Sequence, residues 1–212
     1  MAVIHEATLV PDKIELAATW LRRQSWADGM ELTERIGGYR FDDPRGRVGV
    51  EFLLFGAIRG GEETVVHLPF TYRAAVLEGA DDYLVGTTDH SVLGTRYVYD
   101  GCADPVLVHV LLAAVLTGAE QEPLEIHRRS GAVEQRRSVV FAKGSGSWLP
   151  GSVPPFDGVT LRRDDAVGVI EASGFEITVK KLLDGVPVPG EETLQVTWPQ
   201  GQGVLVGVRR LG

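Results

Sequence analysis

The chain has 212 residues, and its 21 lysines and arginines against 29 aspartates and glutamates give a formal net charge of −8. Hydrophobic residues make up 44% and charged residues 24%, which excludes wholesale disorder. The acidic balance argues against a general nucleic-acid binder, because affinity for phosphate backbones comes from lysine and arginine.

The sequence also argues against membrane insertion and secretion. The longest apolar run, 105–119, is shorter than the roughly 20 residues that a membrane-spanning helix needs. Residues 1–10 lack the basic segment and apolar core of a signal peptide. Cys102 is the single cysteine and has no internal disulfide partner. We therefore expect a cytoplasmic protein without membrane contact.

Two helices are predicted. The first covers roughly 11–24, where Asp12 and Glu15 have the spacing of a capping box and apolar residues follow at helical intervals. The second covers roughly 105–117, begins after the N-cap candidate Asp104 and ends before a glycine. Its apolar side chains lie all around the axis, so this helix must be almost fully enclosed.

The rest of the chain is strand-like. The segments rich in β-branched and aromatic residues are 48–58, 63–73, 83–86, 91–100, 167–172, 175–183, 194–198 and 204–210. Gly60-Gly61 is predicted as a hairpin turn, Gly37-Gly38 as a break between elements, and 144–155 as a loop. Strands and helices do not alternate, so the sheets should be antiparallel. We predict an α+β protein with an α+β part at 1–118 and an antiparallel β-rich part at 119–212. A core shared by the two parts is an open alternative to independent folding.

Known catalytic motifs are missing from the sequence. It contains no P-loop, no nucleophile elbow and no kinase catalytic motif. Gly144-Ser145-Gly146 is too short for a phosphate-binding loop and is interpreted as flexible. The five histidines and one cysteine lack the spacing of a zinc site. We therefore predict no catalytic residue, no cofactor and no metal.

One polar cluster could still carry chemistry. Its members are Asp89, His90, Ser91, Arg96, Tyr99 and Asp100. Asp89 could orient the His90 imidazole beside Ser91, as in a small hydrolytic enzyme, but adjacent side chains on a strand point to opposite faces. The alternative is a turn in which Asp89 and Thr88 satisfy backbone N–H groups, while Arg96 pairs with Asp100 or with Glu78 and Asp81-Asp82. A ligand or partner surface is the third interpretation.

The tryptophans suggest a second place for ligand contact. Trp20 and Trp198 fit core positions, whereas Trp26 and Trp148 lie beside loops and are the two candidates for contact with a ligand or partner. Basic doublets occur in the second part, and Lys180-Lys181 is one of them. On a strand the two members of a doublet face opposite sides, so they offer at most a weak surface for an anionic partner.

Several segments, taken together, resemble the N-terminal cap domain of bacterial maltokinases over about residues 10–118. They are Trp20-Leu-Arg-Arg-Gln-Ser-Trp26-Ala-Asp-Gly29, Tyr-Leu-Val-Gly-Thr at 83–87, Leu93-Gly94, Tyr99-Asp100-Gly101 and Asp104-Pro105 with its apolar helix. The resemblance implies a helix packed on a curved antiparallel sheet and closed by a second helix. In that family the cap precedes a kinase that phosphorylates maltose with ATP and feeds α-glucan synthesis.

The chain departs from that family after Gly118. The remaining residues are strand-like, and the kinase phosphate loop and catalytic acids have no matching positions, so no catalytic residue is carried over. The resemblance implies a non-catalytic binding or regulatory protein linked to α-glucan, maltose or trehalose metabolism, with a glucan-pathway enzyme or a small sugar as partner. The alternatives are a small enzyme that uses Asp89, His90, Ser91 and Arg96, and a structural homodimer formed through the β-rich part.

Overall fold

The computed structural model describes residues 4–5, 7–127, 133–154 and 158–212. It contains the helices α1 (Lys13–Leu21) and α2 (Pro105–Thr117). The strands of the first part are β1 (Ile4–His5), β2 (Leu9–Val10), β3 (Met30–Tyr39), β4 (Gly49–Arg59), β5 (Glu62–Arg73), β6 (Leu84–His90) and β7 (Gly94–Asp100). The strands of the second part are β8 (Leu124–His127), β9 (Val133–Arg136), β10 (Phe141–Gly144), β11 (Thr160–Asp164), β12 (Val167–Ala172), β13 (Phe175–Lys180), β14 (Glu192–Trp198) and β15 (Gly201–Arg210).

The strands form two six-stranded antiparallel sheets and one small sheet. The first large sheet, which we call the N sheet, has the order β2-β6-β7-β5-β4-β3. The second, the C sheet, has the order β10-β14-β15-β13-β12-β11. The small sheet joins β1, β8 and β9, and its β1–β8 pair is parallel. Strands account for 48% of the chain, so the α+β prediction is matched only in part: antiparallel sheets dominate, and the helices are few.

Both faces of the N sheet are covered. Alternate residues of β4 point to opposite sides, as the pleat of a strand requires. Leu53 and Phe55 belong to a buried cluster with α1, while Phe52 and Leu54 belong to a second cluster with α2 and the C sheet. The order of layers is therefore α1, N sheet, α2 and C sheet.

The capping residues that the sequence indicates fix both helices. Asp12 accepts hydrogen bonds from the backbone N–H groups of Ile14 and Glu15, and the Glu15 carboxylate accepts one from the Asp12 N–H, which completes the capping box. Asp104 accepts from the Val106 N–H at 2.9 Å at the start of α2. The α2 bounds agree with the prediction, whereas α1 is shorter than predicted because it ends at Leu21. Neither helix in the described part of the chain has the length and apolar character needed to cross a bilayer.

The two double-glycine motifs have different roles. Gly60 and Gly61 form the β4–β5 turn with φ angles of 60° and 86°, so the predicted hairpin is confirmed. Gly37 and Gly38 do not separate two elements but lie inside β3, and that prediction is wrong. A Cβ atom on Gly37 would lie 2.8 Å from a Val140 methyl group, and one on Gly38 would lie 2.7 Å from the Phe52 carbonyl oxygen. Close packing, not a turn, requires glycine at these two positions.

Candidate functional site

The predicted polar cluster begins at the turn between β6 and β7, which we call the hairpin tip (residues 90–94). The Nδ1 atom of His90 accepts hydrogen bonds from the backbone N–H groups of Val92 at 3.2 Å and Leu93 at 3.1 Å. Arg96 donates from its guanidinium to the Leu93 carbonyl oxygen at 2.5 Å. Gly94 closes the turn with a φ of 73°. These side chains therefore hold the backbone of the tip in one conformation.

Asp89 and Ser91 also form local contacts. The Asp89 carboxylate accepts a hydrogen bond from the Thr95 hydroxyl at 2.8 Å, and the Ser91 hydroxyl accepts one from the Thr8 N–H at 3.1 Å. A turn is present, as one interpretation predicted, but His90 and not Asp89 accepts hydrogen bonds from its backbone N–H groups. The side chains of Asp89, His90 and Ser91 are thus directed to different neighbours rather than to one reaction centre.

The hairpin tip presents apolar side chains to solvent. Val92 is 46% exposed and Leu93 is 45% exposed, and Val10 on the adjacent strand β2 is 68% exposed. The β4–β5 turn, at the opposite end of the N sheet, consists in contrast of Gly60 and Gly61 between charged residues. An exposed aliphatic pair on a fixed turn makes the hairpin tip a candidate contact surface.

Tyr99 and Asp100 lie in the interior, away from the tip. Tyr99 is 1% exposed, and its hydroxyl accepts a hydrogen bond from the Leu77 N–H at 2.9 Å. Asp100 is 1% exposed; one carboxylate oxygen accepts from the Cys102 N–H at 3.0 Å, and the other lies 2.6 Å from Lys181 Nζ. The predicted pairing of Arg96 with Asp100 is therefore wrong.

Lys181 forms the centre of a buried ionic cluster that the sequence did not reveal. Its ammonium group contacts the carboxylates of both Asp100 and Asp164. Burial by itself would lower the pKa of the Lys181 ammonium, but the neighbouring carboxylates raise it above its usual value. Burial and the charge of Asp100 raise the pKa of the Asp164 carboxyl. Lys180 and Lys181 have different partners, since Lys180 pairs with Asp184 at 2.6 Å, and both are buried, so this doublet offers no exposed surface to an anionic partner.

His67 forms a second buried polar contact between the two parts of the chain. Its Nδ1 lies 2.7 Å from the Lys180 carbonyl oxygen, and its Nε2 lies 3.0 Å from the Tyr39 hydroxyl. Because a carbonyl can only accept, Nδ1 carries the proton and Nε2 accepts from Tyr39. Burial lowers the pKa of His67 to about 4, so the imidazole is neutral at physiological pH.

The two loop tryptophans differ in their surroundings. Trp26 follows α1 in a short 3-10 turn and packs, half-buried, against the apolar cluster that contains α1. Trp148 instead lines an open groove of about 320 Å³ at the end of α2, which we call the Trp148 groove. Its other lining residues are Leu116, Phe175, Glu191, Glu192, Val208, Arg209 and Arg210.

The segment that carries Trp148 is bound to the end of α2. The backbone N–H groups of Gly146 and Trp148 donate to the carbonyl oxygens of Val115 at 3.0 Å and Leu116 at 2.9 Å. A Cβ atom on Gly146 would lie 2.0 Å from the Leu116 oxygen, so only glycine permits this approach. The interpretation of Gly144-Ser145-Gly146 as a flexible loop is therefore wrong, because this backbone caps the helix carbonyls.

Charged and aromatic side chains surround Trp148. The Arg210 guanidinium lies over the indole ring at 4.8 Å from its centroid, and Phe175 approaches edge-on at 5.8 Å between centroids. Arg209 pairs with Glu176 at 2.7 Å. The sequence indicated Trp148 through its position beside a loop, but Glu191 and Arg210 reach it from distant strands and left no local signal.

A second groove of about 450 Å³ lies between the β8–β9 hairpin and the outer side of β10 and β14. Phe141 lines it and is 57% exposed. Within the described residues, no group of three or more histidine, cysteine, aspartate or glutamate side chains could hold a metal ion.

Comparison with known proteins finds a family model that matches part of the chain. No curated protein matches it. The family model of the maltokinase N-terminal cap domain matches residues 20–104, from Trp20 in α1 to Asp104, the N-cap of α2. The matched segment includes the hairpin tip and strands β3 to β7, while the Trp148 groove lies outside it. The match supports the resemblance predicted from the sequence: residues 20–104 are similar to the maltokinase N-terminal cap domain.

Proposed function

We propose that this chain is a binding or regulatory protein of α-glucan, maltose or trehalose metabolism. It works in the cytoplasm by contacting a pathway enzyme through its cap domain, and it does not itself catalyse a reaction. The observation that carries the proposal is the hairpin tip: a cap domain presents Val92 and Leu93 to solvent on a turn held by His90 and Arg96.

The rigidity of the tip favours a role in binding. A surface that is fixed before association avoids the entropy cost of ordering its residues on contact. The hydrogen bonds of His90, Ser91 and Arg96 fix the backbone of the hairpin tip before any partner binds. Large apolar faces of the N sheet are already covered by α1 and α2, which leaves the tip as a natural point of contact for another protein.

Charge indicates the kind of partner. Residues 1–118 carry 17 acidic and 10 basic residues, so the cap part has a net charge of −7. Complementary charge steers partners together and suppresses wrong ones. The enzyme that receives the tip should therefore offer an apolar pocket with basic residues around it.

The metabolic role can be tested in the organism that encodes the chain. We expect deletion of the gene to change the cellular content of α-glucan, maltose or trehalose, and the wild-type gene to restore it. The double variant Val92→Asn/Leu93→Asn should not restore it, although these exposed residues contribute little to folding.

Gly60→Asn is the matched control, because it changes the polar turn of the same sheet at a φ of 60° that asparagine tolerates. It should restore the sugar content as well as the wild type does. Unchanged sugar and glucan content after deletion, or full restoration by the double variant, would count against the proposed function.

A further inference from the structure

We propose that the Trp148 groove is a binding site for a neutral saccharide of one or two rings. The proposal deepens the proposed function, on which its metabolic meaning rests. Its evidence is separate, because the residues that line the groove lie outside the segment 20–104 that matches the cap-domain model.

The groove is rigid where a ligand would touch it. The N–H groups of Gly146 and Trp148 are bonded to carbonyl oxygens of α2, and Phe175 is 5% exposed beneath the indole. The Ser145 hydroxyl donates to Glu192 at 2.5 Å and accepts from the Thr193 N–H at 2.8 Å, which ties the same loop to β14. The tryptophan is thus held between a helix end and a strand.

The charges of the lining select a neutral ligand. Two carboxylates, Glu191 and Glu192, and two guanidinium groups, Arg209 and Arg210, line the groove, and Arg209 also pairs with Glu176. A charged group on the ligand would be attracted by one kind of lining charge and repelled by the other, so it would gain no net attraction to offset the loss of its hydration. A hydroxyl group both donates and accepts hydrogen bonds, so it can satisfy both kinds of side chain at once.

The aromatic side chain adds selectivity for ring compounds. Trp148 combines an apolar face with a polar N–H, a combination suited to a sugar ring with one apolar side and several hydroxyls. Arg210 is exposed and lies over one face of the indole, so a bound ring would take its place there and receive hydrogen bonds from its guanidinium. The volume of about 320 Å³ is at the small end of the roughly 300–1,000 Å³ of ligand pockets, which limits the ligand to one or two rings.

The test is a titration of the full-length chain labelled with ¹⁵N-tryptophan, followed by NMR through its indole N–H signals. The probes are glucose, maltose, trehalose and glucose 6-phosphate. We expect a saturable shift of the Trp148 signal with at least one neutral sugar, no shift of the buried Trp20 signal, and weaker binding of glucose 6-phosphate than of glucose. Absence of a saturable Trp148 shift with all three neutral sugars, or tighter binding of the phosphate ester, would overturn the proposal.

A variant locates the site. Glu191→Gln keeps the size of an exposed side chain but removes its charge, and we expect it to weaken sugar binding roughly fivefold, because a sugar hydroxyl donates a stronger hydrogen bond to a carboxylate than to a neutral amide oxygen. Glu171→Gln is the matched control on β12, outside the groove, and should bind as the wild type does. Equal affinity of the Glu191 variant and the wild type would contradict the placement. Sugar binding is measured without a partner protein. A negative titration would therefore contradict the saccharide site but not the proposed function of the hairpin tip, and a negative result with the tip variants would not contradict the saccharide site.

Discussion

His67 lies in the middle of β5 with both ring nitrogens engaged, and it stacks on Phe52 with their ring centroids 5.9 Å apart. This histidine falls within the predicted strand 63–73, and the structure confirms that it lies on a strand. The sequence did not identify Tyr39 or Lys180 as the partners, because each is far away in the chain. The sequence therefore indicates whether a single side chain is buried or exposed, but not which distant side chain it contacts.

The buried imidazole should make stability depend on pH. Folding lowers the pKa of His67 from 6.5 to about 4, so the unfolded state binds more protons between these values and stability is lost as the pH falls from about 6.5 to about 4. The loss should reach roughly 3 kcal/mol, at about 1.4 kcal/mol per pKa unit. His67→Gln should remove this part of the pH dependence, as measured by urea unfolding at pH 7 and pH 4.5.

Tyr39→Phe serves as the control for that experiment. It removes the hydroxyl partner of His67 but keeps the buried imidazole, so it should lower the free energy of unfolding by about 1–2 kcal/mol and retain the pH dependence. A His67→Gln variant that loses stability between pH 7 and pH 4.5 as steeply as the wild type would refute the assignment.

Removal of the Lys181 ammonium group from its buried ionic cluster should strongly lower the stability of the fold. Lys181→Met leaves the buried Asp100 carboxylate without its ion pair, which should lower the free energy of unfolding by about 3–5 kcal/mol. Lys143→Met removes an exposed partner of Glu120 and should cost less than about 1 kcal/mol. Thermal and urea unfolding compare the two variants, and similar small losses in both would show that the buried pair is not needed for stability.

At the scale of elements, capping residues and local patterns explain what the sequence predicted well. α2 was predicted with its bounds because Asp104, Pro105 and a C-terminal glycine mark its ends. β3 was missed because Gly37 and Gly38 resemble a turn, while their actual role is to admit Val140 and the backbone of β4. Close approaches between distant segments leave no periodic pattern in the sequence.

The glycine loop offers a test at this scale. Gly146→Ala places a Cβ atom 2.0 Å from the Leu116 oxygen, so the loop must move away from the end of α2. We expect a loss of about 1–3 kcal/mol in the free energy of unfolding and a changed Trp148 indole signal, measured by urea unfolding and NMR.

Gly151→Ala is the matched control, because nothing lies within 4 Å of its added methyl group and its φ is not in the left-handed region. It should leave the free energy of unfolding and the Trp148 indole signal unchanged. A Gly146 variant with wild-type stability and an unshifted Trp148 signal would mean that the loop is not docked as described.

At the scale of the whole molecule, α2 links the N sheet to the C sheet. Its N-cap Asp104 accepts two hydrogen bonds at 2.6 Å from Arg73 on β5, and its last turn receives the loop of Trp148. One buried cluster contains residues from the N sheet, α2 and the C sheet. The sequence predicted an enclosed helix here but could not show which sheet encloses it, because that choice depends on contacts between distant strands.

This arrangement predicts cooperative unfolding of the described parts. Urea unfolding followed by tryptophan fluorescence and by far-UV circular dichroism should give one transition with the same midpoint. Two separate transitions would show instead that the regions 1–118 and 119–212 fold as independent units.

Recovery of a partner through the hairpin tip is the most direct test of the functional account. The tagged full-length chain, the Val92→Asn/Leu93→Asn variant and the Gly60→Asn control would be isolated from cells of the native organism, and the co-purified proteins quantified. We predict that the wild type and the control recover an enzyme of α-glucan, maltose or trehalose metabolism, and that the double variant recovers roughly tenfold less of it, as expected for the loss of two apolar contacts. Failure to recover such an enzyme, or its equal recovery by all three chains, would contradict the account.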